Sequence, residues 1–141
     1  MRKLESRLLD VRIEVVTETF VASGKLDGVR DIARFVGANP IFLPTSEEGG
    51  FRLTADMLRK AITPKTRAIL PVHLGMRFAD LDAIMTIAQK RNLKVVEDCA
   101  HVHGGMWRGK GAGSIGDLGA FSFQSSKLMT CGEGGAVITP H

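Results

Sequence analysis

The chain has 141 residues, of which 44% are hydrophobic and 24% charged, with a formal charge of +4. This mixture excludes a disordered or fibrous chain and fits one globular domain with its own core. No apolar run is long enough for a transmembrane helix, and Glu5, Arg7 and Asp10 break up the stretch a secretory signal needs. A cytoplasmic protein is therefore expected, and Cys99 and Cys131, which form no CxxC pair, fit a reducing compartment. Lys and Arg are scattered singly with few aromatics beside them, so neither a nucleic acid nor a membrane is an expected partner.

In chain order, Val29, Ile32, Ala33 and Val36 show helical spacing, and Ile41-Phe42-Leu43 reads as a buried strand. Met57, Leu58 and Ala61 predict a short helix that stops before Pro64, and Ala68-Ile69-Leu70 a second strand. Leu81, Ile84, Met85 and Ala88 predict a helix with Asp80 as N-cap, followed by a strand at Val95-Val96. The alternation of strand and helix argues for an α/β layer with a largely parallel sheet. After Asp98 comes a glycine-rich connection, then strand-like Ala120–Phe123 and Ala136–Thr139. With no helix between these last two, at least one is expected to run antiparallel.

Several constellations could carry chemistry. Gly104–Gly111 nearly matches a phosphate-binding P-loop, but Gly111 replaces the Ser or Thr that holds magnesium, and no helix follows. A turn-rich excursion with a hairpin is the preferred reading. His101 and His103, beside Glu97 and Asp98 with His73 elsewhere, could bind zinc or iron. The competing reading makes one of the pair a hydrogen-bonded core residue and leaves the other facing water. Asp98 ends a buried strand and Lys127 follows a later one, and ligands of open α/β sheets collect at the carboxyl ends of strands. A lysine for a Schiff base and an acid for a ring nitrogen are what pyridoxal phosphate (PLP) requires.

Three segments, Ala61–Leu74 (AITPKTRAILPVHL), Val96–Gly104 (VEDCAHVHG) and Phe121–Gly135 (FSFQSSKLMTCGEGG), resemble the DegT/DnrJ/StrS family of PLP-dependent sugar aminotransferases. The resemblance covers about residues 52–139, and its wording is closest to aminotransferases acting on scyllo-inosose and 2-deoxy-scyllo-inosose. It implies a partial aspartate-aminotransferase-like large domain (PLP fold type I), a mixed, mostly parallel sheet with flanking helices. It also implies that Lys127 holds PLP covalently and that Asp98 pairs with the pyridine nitrogen. His101 would lie beside the ring, Ser122 would donate to the phosphate, and Phe20 would stack on the ring face. The implied reaction moves an amino group from glutamate or glutamine to a keto-sugar or keto-cyclitol, in a protein that forms homodimers. No metal is implied. Lysine rather than histidine at position 127 argues against the family's dehydratase branch.

The chain also departs from the family pattern. It contains no Ser-Gly-Thr phosphate loop, Ser23–Gly28 intervenes after Phe20, and Pro44 stands where acidic residues usually begin. The expectation is therefore a single incomplete large domain over residues 1–141, without the C-terminal small domain. Such a piece would be a weak catalyst or none. The alternative is a non-catalytic remnant with a regulatory or partner-binding role.

Overall fold

The computed structural model describes residues 13–19, 37–44 and 53–140. Phe20 and the helix expected over 29–36 lie outside the described residues. The main sheet has the strand order β2-β1-β3-β4-β7-β8, formed by β1 (Ile13–Thr19), β2 (Ala38–Pro44), β3 (Thr66–Leu70), β4 (Lys94–Asp98), β7 (Leu118–Ser122) and β8 (Gly135–Ile138). Neighbours from β2 to β7 pair parallel, and β8 closes the sheet antiparallel to β7. The expected α/β layer and its antiparallel strand are both present. β1, between β2 and β3, has no counterpart among the sequence expectations. Its apolar residues are interrupted by Glu14, Thr17 and Glu18, and no glycine or proline marks its ends.

Both predicted helices among the described residues form. α1 (Ala55–Ala61) starts at Thr54, whose side chain accepts the Met57 N–H, and ends at Ile62. α2 (Leu81–Arg91) starts at Asp80, whose carboxylate accepts the Ala83 N–H, and ends at Asn92 in the left-handed region. Such caps satisfy N–H and C=O groups that a helix leaves unpaired at its ends. The apolar stripe of α2 packs Ile84, Ile87 and Ala88 against Ile69 of β3 and Val95 of β4. Leu53 and Leu58 complete that core, with Ile41 and Leu43 of β2 packed against it.

Side chains alternate across a strand, so this packing assigns the faces of β4. Val95 and Glu97 are buried, while Val96 and Asp98 are partly exposed. The glycine-rich segment forms the expected hairpin, with β5 (Met106–Trp107) antiparallel to β6 (Lys110–Gly111). Arg108 and Gly109 make its turn with positive φ of 47° and 82°, as a two-residue hairpin loop requires. The P-loop alternative has no structural counterpart there.

Candidate functional site

A cleft of about 240 Å³ opens at the carboxyl ends of the parallel strands, lined by Leu70, Val96, Asp98, Ala100, Ala120 and Ser122, with Phe121 beside them. Strand register produces this grouping. Asp98 of β4 stands opposite Ala120 of β7, and Ser122 lies two residues on, about 7 Å farther along the same face. Leu70, Val96 and Ala120 give the cleft an apolar floor beside an acid and a hydroxyl.

The polar groups facing the cleft have capacity to spare. Asp98 Oδ1 accepts the N–H of Ala100 at 3.0 Å, while Oδ2 has no partner among the described residues. Ser122 Oγ accepts the Gln124 N–H at 3.4 Å, which leaves its own O–H free to donate. Lys127 is half-buried on the loop after β7, at the same end of the sheet. It is not among the residues lining the cleft, and among the described residues its Nζ has no hydrogen-bond or ion-pair partner. That loop is closed on itself: Phe123 donates to Gly134 O, Cys131 N and Thr130 Oγ1 donate to Phe123 O, and Lys127 N donates to Gln124 O.

The structure thus brings Asp98 and Ser122 together on one cleft and keeps Lys127 at the same strand ends. His101 is exposed on the turn after β4 and does not line the cleft. His103 is buried, and its Nε2 lies 2.8 Å from the Ser122 carbonyl oxygen. This is the core-plus-solvent division of the pair that the sequence left open.

The titratable groups that do cluster are His73, Glu97 and Cys99, all buried, with their ligand atoms within 4.8 Å of one another. The lone pairs of His73 and Glu97 are otherwise engaged. The Glu97 carboxylate accepts His73 Nε2 at 3.1 Å, Gly113 N at 3.1 Å, Ile115 N at 2.8 Å and Gly116 N at 2.7 Å. His73 Nδ1 accepts the Ala79 N–H at 3.3 Å, so its proton sits on Nε2 and points at Glu97. Burial alone would raise the Glu97 pKa; His73 and the three backbone donors outweigh it and hold the carboxyl below its ordinary range. Burial, reinforced by Glu97 and Asp98, pushes the Cys99 thiol up to about 12. A metal would have to displace these donors and deprotonate that thiol, so the geometry is that of a clasp. It ties the segment after β3, the entry to α2 and the approach to β7 onto the strand that ends in Asp98.

Sequence reasoning missed the clasp, although a signal for it was there. Val95 faces the core, and Glu97 lies two residues on in the same strand, so alternation already directs its carboxylate inward. A charge pointing into a core requires several donors.

An open, mostly parallel α/β sheet with a cleft at its strand ends is here part of a PLP fold type I large domain. The chain belongs to the DegT/DnrJ/EryC1/StrS aminotransferase family, whose pattern matches residues 8–141. The match extends well upstream of the 52–139 covered by the motifs, and takes in β1 and β2. The chain is 42% identical over 125 residues to an L-glutamine:2-deoxy-scyllo-inosose aminotransferase of Streptoalloteichus tenebrarius, covering 88% of this chain and 29% of that protein. An aminotransferase structure from Psychrobacter cryohalolentis superimposes with a TM-score of 0.80 at 38% identity, covering 96% of this chain and 34% of that one. A sugar aminotransferase of Streptococcus pneumoniae in its PLP form gives 0.78 at 29% identity, covering 97% and 38%. The chain therefore spans about a third of the length of these proteins.

Proposed function

We propose that this chain carries the cofactor-facing layer of a PLP-dependent aminotransferase, as the central part of a larger PLP-binding domain. The reaction would move an amino group from glutamate or glutamine to a keto-cyclitol or keto-sugar. The observation that carries the reading is the pairing of Asp98 and Ser122 on one cleft with an apolar floor, within a chain that matches the family over residues 8–141. The cleft suits the cofactor chemically, offering apolar side chains for an aromatic ring together with an acceptor for the ring N–H and a donor for the phosphate.

Each residue has a distinct task in this reading. Asp98, through Oδ2, which has no partner among the described residues, would hold the ring nitrogen protonated. Ser122 would spend its free O–H on a phosphate oxygen. Lys127 would bind the cofactor aldehyde through Nζ. Once released by the amino donor, its amine would take a proton from the donor carbon and return it on the cofactor side. When bound, PLP supplies an electron sink for the charge this deprotonation leaves behind. His101 and Phe20 keep the roles the resemblance implies, His101 from an exposed turn and Phe20 from outside the described residues. The keto-cyclitol acceptor has support from the relative in Streptoalloteichus tenebrarius, and a homodimer is part of the same proposal.

The test is covalent. Purified chain is mixed with PLP, reduced with borohydride and digested. The expected result is yellow absorbance and one pyridoxyl adduct at Lys127, both lost in Lys127→Ala. No adduct, or one spread over surface lysines, overturns the reading. A second reading, a partner-binding protein without catalysis, draws on the exposed Leu128, Met129 and Val137 beyond the cleft. It predicts a folded chain that takes no PLP at Lys127.

A further inference from the structure

His103 is more than nine-tenths buried, and its two ring nitrogens are used very differently. Nε2 lies 2.8 Å from the carbonyl oxygen of Ser122. A carbonyl only accepts, so Nε2 carries the proton and donates it. Nδ1 is buried and has no hydrogen-bond partner among the described residues. The ring packs against Phe121 and Phe123, with centroids at 5.7 Å and 5.9 Å, the neighbours on either side of Ser122. An apolar ring would fill that space without leaving a nitrogen unsatisfied. What imidazole adds is one N–H, directed at one carbonyl.

That carbonyl sits at a junction. Ser122 is the last residue of β7, and Phe123 begins the loop that carries Lys127 and closes back on Phe123 through Cys131 and Gly134. His103 comes from a different segment, the connection between β4 and β5, five residues after Asp98. Its bond therefore ties the end of the Asp98 strand to the end of the Ser122 strand, on the main chain behind the Ser122 hydroxyl.

We propose that His103 is a positioning residue: through the Ser122 carbonyl it fixes the direction of the Ser122 hydroxyl into the cleft and the start of the Lys127 loop. The part concerning the hydroxyl rests on the proposed function, because it assigns that hydroxyl to the cofactor phosphate. The part concerning the loop does not.

Three variants test it. His103→Met removes the donor at similar volume. His103→Gln keeps an N–H at similar reach. His103→Asn carries an N–H donor one carbon too short to reach the Ser122 carbonyl, and serves as the second variant without this bond should His103→Met not fold. In the cofactor-free chain, amide exchange at Phe123 and Cys131 is expected to speed up in His103→Met and return toward wild type in His103→Gln. Unchanged exchange in His103→Met, or failure of Gln to restore it, overturns the proposal. With cofactor, the dissociation constants of PLP and of pyridoxal, which lacks the phosphate, are compared. His103→Met is expected to weaken PLP about tenfold, the scale of one hydrogen bond to a charged group, and to leave pyridoxal unchanged. Equal weakening of both overturns the claim about the hydroxyl. If the wild-type chain takes no PLP at Lys127, the proposed function falls, and the exchange measurement still decides whether His103 holds the loop.

Discussion

Glu97 brings a negative charge into a fully buried position, where His73 and the N–H groups of Gly113, Ile115 and Gly116 meet it. A carboxylate in such a place is stable only while all its lone pairs are occupied. Glu97→Gln would turn an amide NH2 toward groups that themselves donate. The expected loss is about 3 kcal/mol of unfolding free energy, measured by urea denaturation near neutral pH. The pH dependence has a definite sign. The folded Glu97 pKa lies below its ordinary 4.5, so between the two values the unfolded chain binds more protons. The stabilisation is complete above 4.5 and is lost as pH falls through the folded value. Glu97→Gln is expected to remove that part of the acid sensitivity, and an acid limb as steep as wild type would contradict the assignment.

At the scale of elements, two glycines let the segment before β7 reach Glu97. A Cβ on Gly119 would lie 2.4 Å from the Gly113 Cα and 2.6 Å from its carbonyl oxygen. These are backbone atoms, which cannot swing aside. Gly119 stands opposite Glu97 in the β4–β7 pairing. The segment at Gly113 can therefore lie directly over β7 and point its N–H at the carboxylate. Gly119→Ala is expected to cost about 3 kcal/mol through overpacking. Gly111→Ala, whose added Cβ would meet nothing within 4 Å, should stay within about 0.5 kcal/mol. Thermal unfolding of the pair checks this, and equal shifts would mean that the close approach at Gly119 does not matter. The helices and strands here were largely legible. Asp80 and the spacing Leu81, Ile84, Ala88 define α2, and short apolar runs define β2, β3 and β4. β1 was not legible, because its strand character comes from pairing with β2 and β3 on both sides rather than from its own apolar pattern.

Across the whole molecule, α1 and α2 cover one side of β2–β4, while the cleft residues Leu70, Val96 and Asp98 face the other way. Among the described residues the sheet also has an exposed margin. β8 pairs with β7, and Val137 is 69% and Ile138 38% exposed. An apolar edge strand with free N–H and C=O groups is a template for further pairing. The purified chain is expected to self-associate as its concentration rises. Val137→Lys should lower that association without lowering the melting temperature, since the side chain is mostly in solvent. Light scattering against concentration checks this, and unchanged scattering in the lysine variant would rule out the β8 edge as the contact.

By itself the sequence determined the α/β plan, the two helices, an antiparallel member among the last two strands and the family, because periodicity, caps and contiguous motifs are local properties of the chain. It also named Asp98, Ser122 and Lys127, each from a motif of a few residues. Only the tertiary structure decided that Asp98 and Ser122 face one cleft, since that follows from the register between β4 and β7. Only tertiary structure could separate His101 from His103, two residues apart, sending one to solvent and the other to the Ser122 carbonyl. The same holds for the clasp on Glu97, whose donors come from segments far apart in the chain. Such contacts are fixed by packing between elements: alternation along β4 turns Glu97 inward, but no local pattern of residues names the donors that meet it.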